Sequence, residues 1–256
     1  MHRALAVSVA AIVFSALPAI VSAQSINNGL VAQFPFDENT GTQTVDSVGG
    51  IVGKFVGNPT WAAGKMGSAI NFNGTSGYVA VSSAALQNLQ NITVSAWVYA
   101  KGVGSNSAGI GRIVSKGTYG GASAAVRFAL QVTADGTLQF NAGYQGGGAG
   151  WGTPSGTLKF NGWHQVTVTY AFGTKQLPVI YVDGVKQLVA ITNAVNGTTP
   201  VNDDAAFFIG DRGDNTRVWN GLIDQVRVYN RVLSASDVAT LYQTDTPPNI
   251  VVIMTD

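Results

Sequence analysis

From Leu30 onward, apolar and polar residues alternate with a period of two far more often than they recur at the helical spacing of 3.6. Leu30 to Phe36, Ala69 to Phe72 and Ile92 to Val98 alternate in this way. Further strand-like runs occupy Arg112 to Lys116, Val126 to Thr133, Leu138 to Ala142, Trp163 to Tyr170, Val179 to Val182, Phe207 to Gly210 and Leu222 to Tyr229. Turn pairs punctuate them at Asn73–Gly74, Asp135–Gly136, Asn161–Gly162, Asp183–Gly184 and Asn220–Gly221. Asp183–Gly184, set between two apolar runs, predicts a tight type I′ hairpin. Many short strands with regular turns predict an all-β sandwich or barrel rather than alternating βαβ units. The helical period wins in one place: Ser234 offers an N-cap, Asp237 an acid in the first turn, and Val238, Leu241 and Tyr242 one apolar stripe. A short C-terminal helix against the sandwich is expected, with the domain closing near Gln243 and Thr244 to Pro248 as linker.

The N-terminus reads differently. Met1 to Arg3 is positive, Ala4 to Val21 is apolar, and Val21, Ser22 and Ala23 end the run on small residues. This predicts a secretory signal over residues 1–23 and an exported chain, secreted or periplasmic. Residues 24–243 are then one large β domain, with no further run long enough to span a bilayer. A chain without cysteine has no disulfides and no thiolate–zinc site. A net charge of +1 without a basic cluster argues against nucleic acid as a partner.

The segments, in this order, resemble the laminin-G-like family of concanavalin A-like jelly-roll domains. The resemblance rests on Gly29 to Glu38, Gly64 to Gly74 leading to Tyr78 and Val79, Ile92 to Val98, Trp163 to Tyr170, Tyr181 to Gly184, and Asn220 to Ser234. It implies two antiparallel sheets packed face to face, often with a structural calcium and a carbohydrate or protein ligand. It does not imply catalysis.

Chemistry is sparse. Glycoside cleavage needs a pair of carboxylates flanking the bond, and Glu38 is the sole glutamate, while most aspartates sit in turns. His164, the one histidine after the signal, lies inside a strand motif and reads as packed. A non-catalytic binding module is expected. For metal, period two places Asp224 on the face of Leu222, Val226 and Val228, opposite Ile223, Gln225, Arg227 and Tyr229. A carboxylate on an apolar face needs a cation or several hydrogen bonds, and calcium takes oxygen ligands of this kind. The resemblance makes Asp46 the second candidate ligand. For a polysaccharide or other glycan, Trp151 and Tyr144 in and beside the glycine run 146–152, Tyr119 in a second glycine-rich stretch, and Arg212 in the loop 211–217 are expected on an accessible rim. The Arg212–Gly213–Asp214 tripeptide is a chance occurrence. Finally, Pro248 to Asp256 resembles the opening strand of sulfatases, where an apolar run delivers aspartates to a divalent cation. Asp256 matches the first such ligand of an incomplete site. Residues 249–256 are therefore expected to begin a sulfatase-like domain, with this module as its accessory.

Overall fold

A computed structural model describes residues 26–104, 109–117, 126–174, 176–201 and 205–246. In chain order the strands are β1 Leu30–Phe34, β2 Gln43–Val45, β3 Val52–Val56, β4 Thr60–Ala63, β5 Ser68–Asn73, β6 Tyr78–Val81, β7 Asn91–Val103, β8 Ile110–Gly117 and β9 Val126–Thr133. There follow β10 Leu138–Tyr144, β11 Gly147–Gly152, β12 Trp163–Ala171, β13 Val179–Val182, β14 Val185–Lys186, β15 Ala190–Asn193, β16 Phe207–Ile209 and β17 Trp219–Tyr229, and then the helix α1 Ala235–Asp245.

All pairings are antiparallel, and they build two sheets. The eight-stranded sheet runs β14-β13-β12-β7-β17-β5-β4, with β1 also paired to β17, and the nine-stranded sheet runs β15-β11-β10-β9-β8-β16-β6-β3-β2. This is an all-β sandwich, as the alternation predicts, with the jelly-roll arrangement of two sheets that the resemblance implies and one short C-terminal helix. Val94, Ala96 and Val98 of β7 face Leu130, Phe140 and Ile209 of the other sheet within one buried core, and these side chains leave water almost completely. The Asp183–Gly184 hairpin has both residues at positive φ (52° and 75°), as a type I′ turn requires.

Helix α1 begins where expected. Ser234 Oγ accepts from the Asp237 N–H at 3.1 Å, and Asp237 Oδ2 accepts the Ser234 N–H at 3.1 Å, closing a capping box. The helix lies on the outer face of the eight-stranded sheet, where Val238 and Leu241 pack on Tyr181, Tyr229 and Leu233. It ends two residues later than expected. Thr244 and Asp245 are helical, and Asp245 is buried by the sheet rather than free in a linker. The expected signal (1–23) and the sulfatase-like stretch (249–256) lie outside the described residues.

Candidate functional site

The outer face of the eight-stranded sheet follows from the core. Because Val94, Ala96 and Val98 point inward, Thr93, Ser95, Trp97 and Tyr99 point outward. On β17 the alternation is interrupted at Gln225, whose φ is 49°, and the register with β7 slips between Asp224 and Arg227. That bulge exchanges the faces expected from unbroken period two. Ile223, Val226 and Val228 face the core, while Asp224 sits opposite Trp97 on the outer face, with Arg227 beyond it. Asp224 is thus not a carboxylate stranded among core valines.

Two buried carboxylates occupy this outer face. Asp245, delivered by the last turn of α1, receives Arg227 Nη1 at 2.7 Å and Nη2 at 2.9 Å, Trp97 Nε1 at 3.0 Å and Gln165 Nε2 at 3.0 Å. Both of its oxygens accept, three of the four bonds going to Oδ2. Asp224 is the opposite case. Oδ2 accepts the Met66 N–H at 3.0 Å, but Oδ1 is buried without a partner. Burial pushes its pKa up to about 7, the Asp37 carboxylate adding to the rise and the Met66, Gln225 and Lys65 N–H groups opposing it.

The niche around Asp224 is held open by glycine. A Cβ on Gly64 would stand 2.7 Å from Asp224 Oδ2, and one on Gly67 would stand 2.0 Å from Asp37 Oδ1. A cleft of about 400 Å³ lined by Asp37, Asn39, Gly67 and Ser68 opens beside it. An orphaned buried carboxylate oxygen, a second carboxylate and a side-chain-free cradle fit a hard divalent cation. Asp46, the partner expected for Asp224, is used otherwise. Its carboxylate accepts N–H bonds from Gln33, Val48 and Gly49, and the charge that bears on Asp224 is that of Asp37. Among the described residues no group of three or more His, Cys, Asp or Glu side chains is gathered for a metal.

The expected glycan rim is corrected. The glycine run forms strand β11, pairing with β10 on one side and β15 on the other. Gly148, Gly150 and Gly152 therefore face outward, while Ala149 and Trp151 face the core. Trp151 is 0% exposed and stacks on Phe140 at 6.1 Å between centroids. Tyr144 is likewise buried, its hydroxyl bonded to that of Tyr170. Neither ring can meet a ligand at the surface. Ala149 and Trp151 are two residues apart, so the period-two signal was present but hidden by its glycines. Arg212 lies in the β16–β17 loop and pairs with Asp214 at 2.9 Å. Tyr119 and Asp256 lie outside the described residues.

The glycines instead shape the outer face of the nine-stranded sheet. A Cβ on Gly150 would stand 2.9 Å from both Asn141 Oδ1 and Thr192 Oγ1, so these polar groups lie across the bare strand. Beside them a cleft of about 590 Å³ is lined by Arg112, Asn141, Gly143, Gly148, Gln145 and Asn193. Arg112 is paired across the ladder with Gln131, whose Nε2 donates to Gln139 Oε1 at 2.6 Å while its own Oε1 is buried without a partner. Planar amides, a guanidinium and exposed backbone converge here, the donor and acceptor set of a small polar ligand site. Arg112, Asn141 and Asn193 did not stand out in the sequence, since each is an ordinary polar residue within a strand.

The fold agrees with that of known proteins. The family model described as the concanavalin A-like lectin/glucanases superfamily matches residues 73–239, and the chain belongs to that laminin-G-like family. Among curated proteins, no relative matches. Among solved structures, the binding domain of Paraclostridial mosquitocidal protein 1 superposes with a TM-score of 0.66 at 15% identity, over 88% of this chain and 54% of that one. Trypanosoma rangeli sialidase gives 0.62 at 19% identity, over 86% of this chain and 33% of that one. Domain 4 of the extracellular arabinanase AbnA from Geobacillus stearothermophilus, in complex with arabinotriose, gives 0.54 at 19% identity, over 84% of this chain and 98% of that one. The chain spans about half of the toxin domain and a third of the sialidase. Among the described residues no helix is long and apolar enough to cross a membrane.

Proposed function

We propose that this domain is an exported, non-catalytic, carbohydrate-directed module whose glycan site is the 590 Å³ cleft on the outer face of the nine-stranded sheet. The observation that carries the reading is the convergence there of Asn141, Asn193, Gln145 and Arg112 beside strands stripped of side chains by glycine. Hydroxyl-rich ligands need such planar, two-way hydrogen-bonding groups. The arabinotriose held by the arabinanase domain shows, for that protein, that the fold accommodates an oligosaccharide. The test is a glycan array with the full chain and with Asn141→Ala. A glycan retained by the first and lost by the second supports the reading, and an array without any binding sinks it.

A structural calcium at Asp224 and Asp37 belongs to this proposal, on the fit described above. The ion would neutralise the two carboxylates and occupy the free Oδ1. Calorimetry of chelator-treated protein titrated with calcium checks it: no heat and no change in melting temperature removes the ion.

The resemblance of Pro248 to Asp256 to a sulfatase strand supports an accessory role beside such a hydrolase. The native transcript tests this: downstream coding for a Cys or Ser two residues before Pro and four before Arg is expected. A second reading, a protein–protein module, is favoured by the apolar edge at β14–β15, where Leu188 is 79% and Val185 64% exposed. Retention of a protein partner by an unglycosylated surface, with no glycan bound, would select it.

A further inference from the structure

The outer face of the eight-stranded sheet is covered only in part. Helix α1 and the Gly64–Gly67 turn close over Trp97, Asp224 and Gln165, with Tyr242 stacked on Trp97 at 5.8 Å and Lys65 Nζ 4.7 Å above the same ring. The next row along the strands is less completely buried. Ladder partners Thr60–Asn71, Asn71–Leu222, Leu222–Tyr99 and Tyr99–Trp163 place five outward side chains on β4, β5, β17, β7 and β12 in one line. Thr60 is exposed and the other four are half-buried.

Solvent faces of antiparallel sheets ordinarily carry polar residues at these positions. Here the row carries Leu222 at its centre and a Tyr99–Trp163 pair at one end, with ring centroids 5.8 Å apart and planes at 68°. At the other end Asn71 Nδ2 donates to Thr60 Oγ1 at 3.2 Å, and Asn71 Oδ1 accepts from Lys101 Nζ at 3.4 Å. No carboxylate belongs to the row. Four strand spacings make it about 19 Å long, and it is one side chain wide.

We propose that this row is a linear platform for a polysaccharide chain of flat, equatorially hydroxylated sugar rings, separate from the cleft on the other sheet. The proposal rests on the reading of the module as carbohydrate-directed. Such sugars present an apolar C–H face, which the negative face of an aromatic ring attracts, and a rim of hydroxyls, which an amide and a lysine satisfy. The dimensions select this occupant over a second protein. A stable protein interface needs about 800 Å² and 20–30 residues from each side, and five mostly half-buried side chains in single file fall far short of that.

The test is affinity electrophoresis of the full chain in gels containing hydroxyethylcellulose or xylan, with wild type, Trp163→Ala and Leu222→Glu. Leu222→Glu places a charge in mid-row without opening a cavity, so it remains informative should Trp163→Ala fail to fold. Wild type is expected to be retarded and each variant to bind about tenfold more weakly, with melting curves confirming the fold. Unchanged retardation in both variants overturns the platform. Wild type unretarded in either gel also overturns it: if the glycan array still shows binding, the cleft survives alone, and if it does not, the carbohydrate reading falls with the platform. A dimer in sedimentation that Leu222→Glu dissociates overturns the platform too, because the row is then an interface between copies.

Discussion

Asp245 and Asp224 lie on the same outer sheet face, Asp245 bonded to Trp97 and Asp224 opposite it in the ladder, both essentially removed from water. One is surrounded by an arginine fork, an indole N–H and a glutamine amide. The other keeps one oxygen without any donor and has a second carboxylate for a neighbour. Burial is equal, so burial does not separate structure from function here. The count of donors does. A carboxylate whose two oxygens are both bonded by its own chain is a fastener for α1, and one left with an unbonded oxygen is where the proposed calcium would sit.

The largest effect that would sharpen this contrast is loss of the fastener. Asp245→Ala leaves Arg227 buried without its partner and is expected to destabilise the domain by about 3–5 kcal/mol, read from urea or thermal unfolding. A change near zero would show that α1 is not held through Asp245.

Next comes the ion. Saturating calcium at about 100 times its dissociation constant is expected to add about 2.7 kcal/mol, with Asp224→Asn abolishing the gain. The pH dependence has a definite sign. The folded-state pKa of Asp224 is raised from the ordinary 3.8 to about 7, so the native state holds a proton that the unfolded chain has released. In chelator, stability should therefore fall as pH rises from about 4 to about 7, and the deficit persists above that window. Calcium should raise the melting temperature more at pH 8 than at pH 5. An equal gain at both values would break the link between the ion and Asp224.

Smaller effects attend the N-terminus of α1. Ser234→Ala should cost about 1 kcal/mol. Asp237 titrates in the opposite sense to Asp224. Burial raises its pKa, but the Arg231 bond at 2.8 Å and the Ser234 groups outweigh this and hold it below the ordinary value. Its contribution is present at neutral pH and is lost as pH falls below about 4. Asp237→Asn should flatten the acid limb of the melting curve slightly, and an unchanged limb would remove Asp237 from the helix's acid response.

Much of this was legible in the chain. Ile92 to Val98 and Trp163 to Tyr170 declare their strands because each buries one face, and alternation is the direct trace of that burial. Ser234 and Asp237 declare the helix start because capping is local chemistry. Trp151 was misplaced because glycine carries no apolar signal, although the strand it interrupts is paired on both sides. Asp224 was assigned to the wrong face because a single bulged residue, Gln225, shifts the period and leaves no mark in composition.

By itself, then, the sequence determined the all-β class, the core-facing side of most strands, the capped helix and the scarcity of catalytic groups, all of which follow from local pattern and inventory. Only the tertiary structure decided which carboxylate would be satisfied, which aromatic rings would reach water and which glycines would open a cleft. Those outcomes depend on what the neighbouring strand presents across a ladder about 4.8 Å away, and partners such as Asp224 and Met66 are 158 residues apart in the chain.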